Sequence, residues 1–263
     1  MKPDLSFLVT LADQAGEILR AAIDQDFQVD HKGEIDLVTE MDHRSEDFLL
    51  RQIQSRFPTH RIISEEIGQV EGDDRFVWYV DPLDGTVNYA HGLPFYTVSI
   101  AYAEDGVVRL GAVHDPSRDE MYTGERGRGA WLNNRPIRVS KAQELDQSLL
   151  VTGFPYDIRT NPETNLDHFV RFSKRSQGVR RLGSAALDLC YVAAGRLEGF
   201  WEIRIKSYDI AAGGLIAEEA GAMVTKANGS PNYISPPCSI LAAAPVIHPQ
   251  MLALLETKDA LAD

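Results

Sequence analysis

Asp81-Pro82-Leu83-Asp84-Gly85-Thr86 sets two carboxylates, a glycine and a hydroxyl directly behind the apolar run Phe76 to Val80. Such a run reads as a buried strand, so the two acids stand where the chain leaves the core. Pro82 cannot donate to a sheet ladder, and the backbone is expected to turn there. Two carboxylates held close together repel unless a cation or a proton screens them. Oxygen ligands of this kind suit a hard divalent metal. Gly85 lets a ligand approach the backbone, and Thr86 supplies a hydroxyl beside it. The same six residues also fit a plain Asp-Pro turn with an Asp-Gly corner. Further acids favour the metal reading. Ser64-Glu65-Glu66 follows Ile62-Ile63 at what reads as another strand end, and Asp209, ahead of Ile210-Ala211-Ala212-Gly213, stands as a helix N-cap.

Composition narrows the chemistry. The chain has 263 residues, 44% hydrophobic and 25% charged, which suits one large or two tightly joined soluble domains. A formal net charge of -13 without a basic run opposes nucleic acid and anionic membranes. It would repel an anionic substrate as well, so a phosphate ester requires bound metal to reverse the local sign. Cys190 and Cys238 are too few for a disulfide framework and lack zinc spacing, which points to a reduced cytoplasm. No Gly-x-Ser-x-Gly elbow is present, and a covalent nucleophile is disfavoured. The N-terminus shows no signal core, and no apolar run is long enough to span a bilayer.

In order and spacing, Asp42, Glu65-Glu66, Asp81 to Thr86 and Asp209-x-x-Ala212-Gly213 resemble the signature of the magnesium-dependent, lithium-sensitive phosphomonoesterases, and nearest among them the inositol monophosphatases. The resemblance continues through Val87-Asn88-Tyr89, His91-Gly92-Leu93-Pro94-Phe95, Gly153-Phe154-Pro155-Tyr156 and Arg181-Leu182-Gly183-Ser184-Ala185-Ala186, so it covers roughly the whole chain. Tyr208 stands where the family usually has Trp, which keeps an aromatic wall.

The resemblance implies two to three magnesium ions. One would take Glu65, Asp81 and the Leu83 carbonyl; a second would take Asp81, Asp84 and Asp209; Glu65 would also lie near a weaker third. Asp42 and Thr86 would surround the attacking water, with Glu65 counted among the catalytic groups. Backbone N–H groups of Gly85 and Thr86 would hold phosphate oxygens. Asp84 and Asp209 would also touch substrate, Gly183, Ser184 and Ala185 would line the polyol pocket, and Glu202 would bond substrate hydroxyls. Lys32 resembles a loop lysine near the active site. Plainer readings stand beside these: Thr86 and Asp42 as helix caps, Glu202 on a solvated face or paired with Arg204.

The implied activity is hydrolysis of a small phosphate monoester by a metal-activated water, with myo-inositol monophosphate the first candidate. Relatives with the same metal acids act on fructose 1,6-bisphosphate, histidinol phosphate, NADP or phosphoadenosine phosphate. A regulatory binding protein on the same scaffold is the alternative from another class. A small-molecule substrate, no nucleic acid or membrane partner, and a homodimer complete the expectation.

The elements that must position these groups follow from periodicity. Leu5 to Ala22 is a packing helix capped by Asp4, and Thr39-x-x-Asp42 forms a capping box for a second helix ending before Pro58. Tyr96 to Tyr102 and Val107 to Val113 alternate as an antiparallel hairpin about Glu104-Asp105-Gly106, continued by Met121 to Thr123, Ala130 to Leu132 and Ile137 to Val139. The period fades around 142–147, which divides residues 1–145, an α+β half carrying most metal ligands, from 146–263, an α/β half carrying the substrate pocket and Asp209. In the second half Ser148 to Thr152, Gly199 to Ile203 and Ile240 to Ala243 read as strands. Ser184 caps a helix stopped by Gly195, and a polar loop from Asp157 to Asn165 stands where it would cover a site. The implied whole is a layered αβαβα sandwich.

Overall fold

The computed structural model describes residues 2–23, 25, 28–31 and 37–257. Lys32 lies outside the described residues. The N-terminal segment forms α1 (Leu5–Ala22), a ribbon of β1 (Val29–His31) and β2 (Leu37–Thr39), and α2 (Glu40–Arg56). Then come β3 (His60–Ser64), β4 (Gly68–Val70), β5 (Asp73–Asp84), the short α3 (Thr86–Ala90), β6 (Thr97–Glu104), β7 (Val107–Asp115), β8 (Glu120–Glu125), β9 (Gly129–Leu132) and β10 (Arg135–Pro136). The remainder is β11 (Leu149–Thr152), α4 (Leu166–Lys174), β12 (Gly178–Arg180), α5 (Ala185–Ala193), β13 (Gly199–Glu202), α6 (Ser207–Glu219), β14 (Met223–Thr225), β15 (Ile240–Ala243) and α7 (His248–Glu256).

Eight strands join in the order β10-β9-β8-β7-β6-β5-β3-β4, and five in the order β12-β11-β13-β15-β14. Strand alternation sorts side chains into separate cores. On β5, Trp78 and Val80 pack with Leu8, Leu11 and Leu49 beneath α1 and α2. Val77 and Tyr79 point the other way, against Leu187, Ile210 and Ile216 of α5 and α6. Those helices in turn cover Val151, Phe200 and Ala242 of the second sheet. Its far face buries Leu150, Trp201 and Leu241 with Phe172 of α4 and Met251 of α7. The order helix, sheet, helix, sheet, helix is the αβαβα sandwich.

Two details differ from the sequence reading. The large sheet is not wholly antiparallel, because β3 and β5 pair in parallel. The last strand of the meander is Arg135–Pro136, ahead of the expected 137–139, and Val139 instead donates its N–H to the Ala220 carbonyl. The two sheets lie on either side of the 145/146 boundary, yet the core around α5 and α6 takes side chains from both. No helix among the described residues is long and apolar enough to cross a membrane.

Candidate active site

The parallel β3–β5 pair brings the first acids together. Ser64 sits opposite Val80, so both strands run out at the same edge, one into Glu65 and the other into Asp81. The chain does not turn at Pro82 as expected. β5 continues to Asp84 through a bulge: Asp81 pairs with Ser99 and Asp84 with Thr97, leaving one extra residue on the β5 side. A bulge accommodates the missing proline donor and re-aims the neighbouring side chains without ending the strand. Gly85 follows at φ 96, and a Cβ there would come within 2.6 Å of the Phe95 carbonyl oxygen, so only glycine fits.

Thr86 is the first residue of α3, and Gly85 occupies the cap position. The Thr86 hydroxyl is therefore not a cap. It lies 2.9 Å from Asp42 Oδ1 and 3.1 Å from the Leu83 carbonyl. The other Asp42 oxygen accepts from the Thr39 N–H at 2.7 Å and the Thr39 hydroxyl at 2.6 Å, which is the capping box of α2. Asp42 thus caps one helix and orients the Thr86 hydroxyl at the same time.

The remaining residues come from the second sheet and the helices between the sheets. Asp84 Oδ2 accepts from the Ser184 hydroxyl at 2.6 Å and the Ala186 N–H at 2.7 Å, and Oδ1 from the Ala185 N–H at 3.2 Å. Donors of two residues expected to face substrate are thereby engaged with an acid of the first half. Asp209 is the third residue of α6, not its cap, and accepts from the Lys206 N–H at 2.9 Å. A cavity of about 760 Å³ takes its lining from Glu65, Asp81, Asp84, Thr86, Glu202 and Asp209. Of the 157–165 loop only Asp157 lines it, and Arg204 bonds that residue at 2.6 Å. Arg204 is therefore not the partner of Glu202.

Glu202 is 7% exposed, so it does not belong to a solvated face. Burial pushes its carboxyl up to about 8, against a weaker pull from Arg181. A raised acid binds its proton more tightly in the folded state. Its charge costs nothing extra below the ordinary value near 4.5, and the penalty grows as pH rises through about 8. Glu202→Gln is therefore expected to raise the melting temperature relative to wild type at pH 9 and to lose that advantage by pH 5. The linkage ceiling is roughly 5 kcal/mol. Thermal unfolding at the two pH values checks this, and a pH-independent difference would refute it.

Mutual repulsion marks the acid cluster. Burial raises Asp81 well above the usual carboxylate range, and Glu65, Asp84 and Asp209 each raise it further. Asp209 is raised well above that range by burial, then by Glu65 and Asp84. Asp84 is raised by burial but less, because Ser184 and the α5 N–H groups oppose the shift. All four groups offer hard oxygens, the donor set that magnesium prefers. As placed, no three His, Cys, Asp or Glu side chains among the described residues stand together closely enough to grip a metal. The donor chemistry fits a hard divalent ion once the side chains converge.

Two residues that hold this edge in place escaped the sequence reading. Ser45 and Glu46 lie three and four residues beyond Asp42, on the same face of α2. Ser45 donates to the Pro82 carbonyl at 2.8 Å. Glu46 Oε1 accepts from the Ser64 hydroxyl at 2.5 Å and from the Glu66 and Ile67 N–H groups at 3.0 and 3.2 Å, clamping the turn that carries Glu65. Their signal was a polar pair at i+3 and i+4 from Asp42 in a helix whose neighbours Leu49 and Ile53 mark the buried face. Glu46→Gln presents an amide to three donors and is expected to cost about 1–3 kcal/mol. Loosening Glu65 by about 1.4 kcal/mol would raise the magnesium concentration for half-maximal binding about tenfold. Calorimetric titration with magnesium checks it; unchanged affinity would leave Glu46 a purely structural residue.

Cys190 and Cys238 are both free and buried. Burial pushes the Cys190 thiol well up, which leaves it inert as a nucleophile.

The model of the inositol monophosphatase family matches residues 1–260. Nus factor SuhB of Escherichia coli is 40% identical over 266 residues, spanning 99% of this chain and 99% of that protein. Among solved structures, an inositol monophosphatase from Anabaena (Nostoc) superposes with a TM-score of 0.89 at 41% identity, covering 98% of this chain and 96% of the other. An IMPase from Thermotoga maritima gives a TM-score of 0.86 at 36% identity over 95% and 96% of the two chains.

Proposed function

The chain belongs to the inositol monophosphatase family, a metal-dependent family, and on that premise we propose that it is a magnesium-dependent phosphomonoesterase with myo-inositol monophosphate as its favoured substrate. The observation that carries this reading is the set of carboxyls from Glu65, Asp81, Asp84 and Asp209 on one cavity beside the buried Asp42–Thr86 pair. In the proposed assignment Glu65, Asp81, the Leu83 carbonyl, Asp84 and Asp209 hold two to three ions. Magnesium, when bound, supplies charge neutralisation for the phosphoryl oxygens and the leaving alkoxide.

The chain's own residues do the rest. Asp42, fixed by Thr39, keeps the Thr86 hydroxyl in one orientation, and that hydroxyl accepts a hydrogen bond from the water in line with phosphorus, passing its own proton to Asp42 as it takes one from the water. The Gly85 and Thr86 N–H groups meet the phosphoryl oxygens. Gly183, Ser184 and Ala185 border the alcohol end, the last two tied to Asp84, and Glu202, still protonated near neutral pH, bonds a substrate hydroxyl. The Glu202 carboxyl and the Arg181 charge beside it offer hydrogen bonds that a polyol can use and an aromatic leaving group cannot.

A panel of phosphate esters assayed with magnesium tests the proposal: inositol 1-phosphate, fructose 1,6-bisphosphate, histidinol phosphate, NADP, phosphoadenosine phosphate and 2-glycerophosphate. Inositol 1-phosphate is expected to give the highest kcat/KM. Preference for another ester would move the substrate and keep the chemistry. The second reading, a regulatory or binding protein, is favoured by one observation: the Escherichia coli relative is named a Nus factor. No turnover on any ester, with folded and magnesium-binding protein, would select it.

A further inference from the structure

Asp188 is a buried acid on the cavity for which the reaction above has no use. It stands in α5 four residues beyond the cap Ser184, is 1% exposed, and contributes to the cavity lining with Glu202 and Arg181. Its Oδ1 is buried without a hydrogen-bond partner. A native fold seldom keeps such a group, because an unsatisfied buried acceptor is costly, and at a cavity wall a bound molecule can complete it. The neighbours do not relieve it: Asp84 and Glu202 repel it, and Arg181 is the attractive charge.

The chemistry of that wall restricts what can complete it. A phosphate or carboxylate brings only acceptors, which cannot satisfy an ionised carboxyl. An apolar group leaves Oδ1 unsatisfied. A hydroxyl both donates and accepts, so it satisfies a carboxyl in either protonation state. Two carboxyls on one wall call for two hydroxyls on one ligand, while the phosphoryl end lies with Asp81, Asp84 and Asp209. We propose that Asp188 is a specificity-determining residue that, with Glu202, holds an adjacent pair of hydroxyls on the alcohol end of the phosphate ester. The proposal rests on the phosphatase reading and adds to it a second carboxyl and a diol requirement.

Asp188→Ala and Asp188→Asn, assayed with saturating magnesium on inositol 1-phosphate and on p-nitrophenyl phosphate, test it. The alanine variant is expected to lose kcat/KM at least about tenfold more on inositol 1-phosphate than on the hydroxyl-free ester, chiefly through KM. Asparagine, which keeps shape and hydrogen bonding, is expected to restore most of the difference. Equal losses on the two esters, or no loss on inositol 1-phosphate, would overturn the assignment. Calorimetric titration of myo-inositol separates this from the hydrolytic reading. Binding to wild type that weakens about tenfold or more in Asp188→Ala supports the diol subsite even if neither ester is turned over. Absence of binding to wild type that hydrolyses p-nitrophenyl phosphate rejects the subsite and leaves the phosphatase standing.

Discussion

Asp81→Asn is expected to cut turnover by about 10³-fold while raising the melting temperature of the metal-free protein. The two effects have one origin. Asp81 is buried at the β5 bulge, and burial, Glu65, Asp84 and Asp209 all work against its charge. The amide keeps the shape and can still accept from the Leu83 N–H, which reaches Asp81 Oδ1 at 3.1 Å. Removing the charge relieves the apo protein; relief of about 1 kcal/mol corresponds to about 2–4 °C. The same substitution removes the proposed bridging ligand, and a loss of about 4 kcal/mol of transition-state stabilisation corresponds to about 10³ in rate. Melting curves and initial rates on one preparation check both. Near-normal turnover, or a lower melting temperature with the fold otherwise intact, would reduce Asp81 to a structural residue of the bulge.

Chelation of divalent metal is expected to take hydrolysis to background, the largest change available by altering solvent alone. The cavity acids then face an anionic substrate without neutralisation, inside a chain whose formal net charge is -13. Magnesium that binds the folded cluster and not the unfolded chain would, at about 100 times its dissociation constant, add about 2.7 kcal/mol of stability. Returning magnesium should therefore restore both rate and several degrees of melting temperature. Lithium, displacing the ion assigned to Asp81, Asp84 and Asp209, should inhibit. Full rate in metal-free buffer would end the two-metal proposal, and indifference to lithium would set this chain apart from the sensitive members.

Much of this was legible in sequence because it is written locally. The strand faces alternate, as Trp78 and Val80 against Val77 and Tyr79 show, and the capping box at Thr39–Asp42 is spelled out within four residues. Pairing between distant segments is not local, and there the reading fell short. A proline ahead of a glycine reads as a turn, whereas pairing with β6 carries β5 through to Asp84 as a bulge. Arg204 was nearest to Glu202 in sequence but bonds Asp157 on a loop 47 positions away. Ser45, Glu46 and Asp188 are polar residues on buried helix faces, and only the segments packed against them distinguish a clamp from a surface charge.

The helix layer between the two sheets carries a further consequence. Ile210 to Ala217 of α6 are buried throughout, and a Cβ on Gly213 would come within 2.7 Å of Leu189 Cβ. A helix with no outward side has nowhere to accommodate a polar or larger residue, so substitutions there act on the amount of folded protein in the cell and not on its chemistry. In a genetic screen, changes across 210–217 will look like a deleted gene, whereas changes at Asp81 or Thr86 will leave abundant, silent protein.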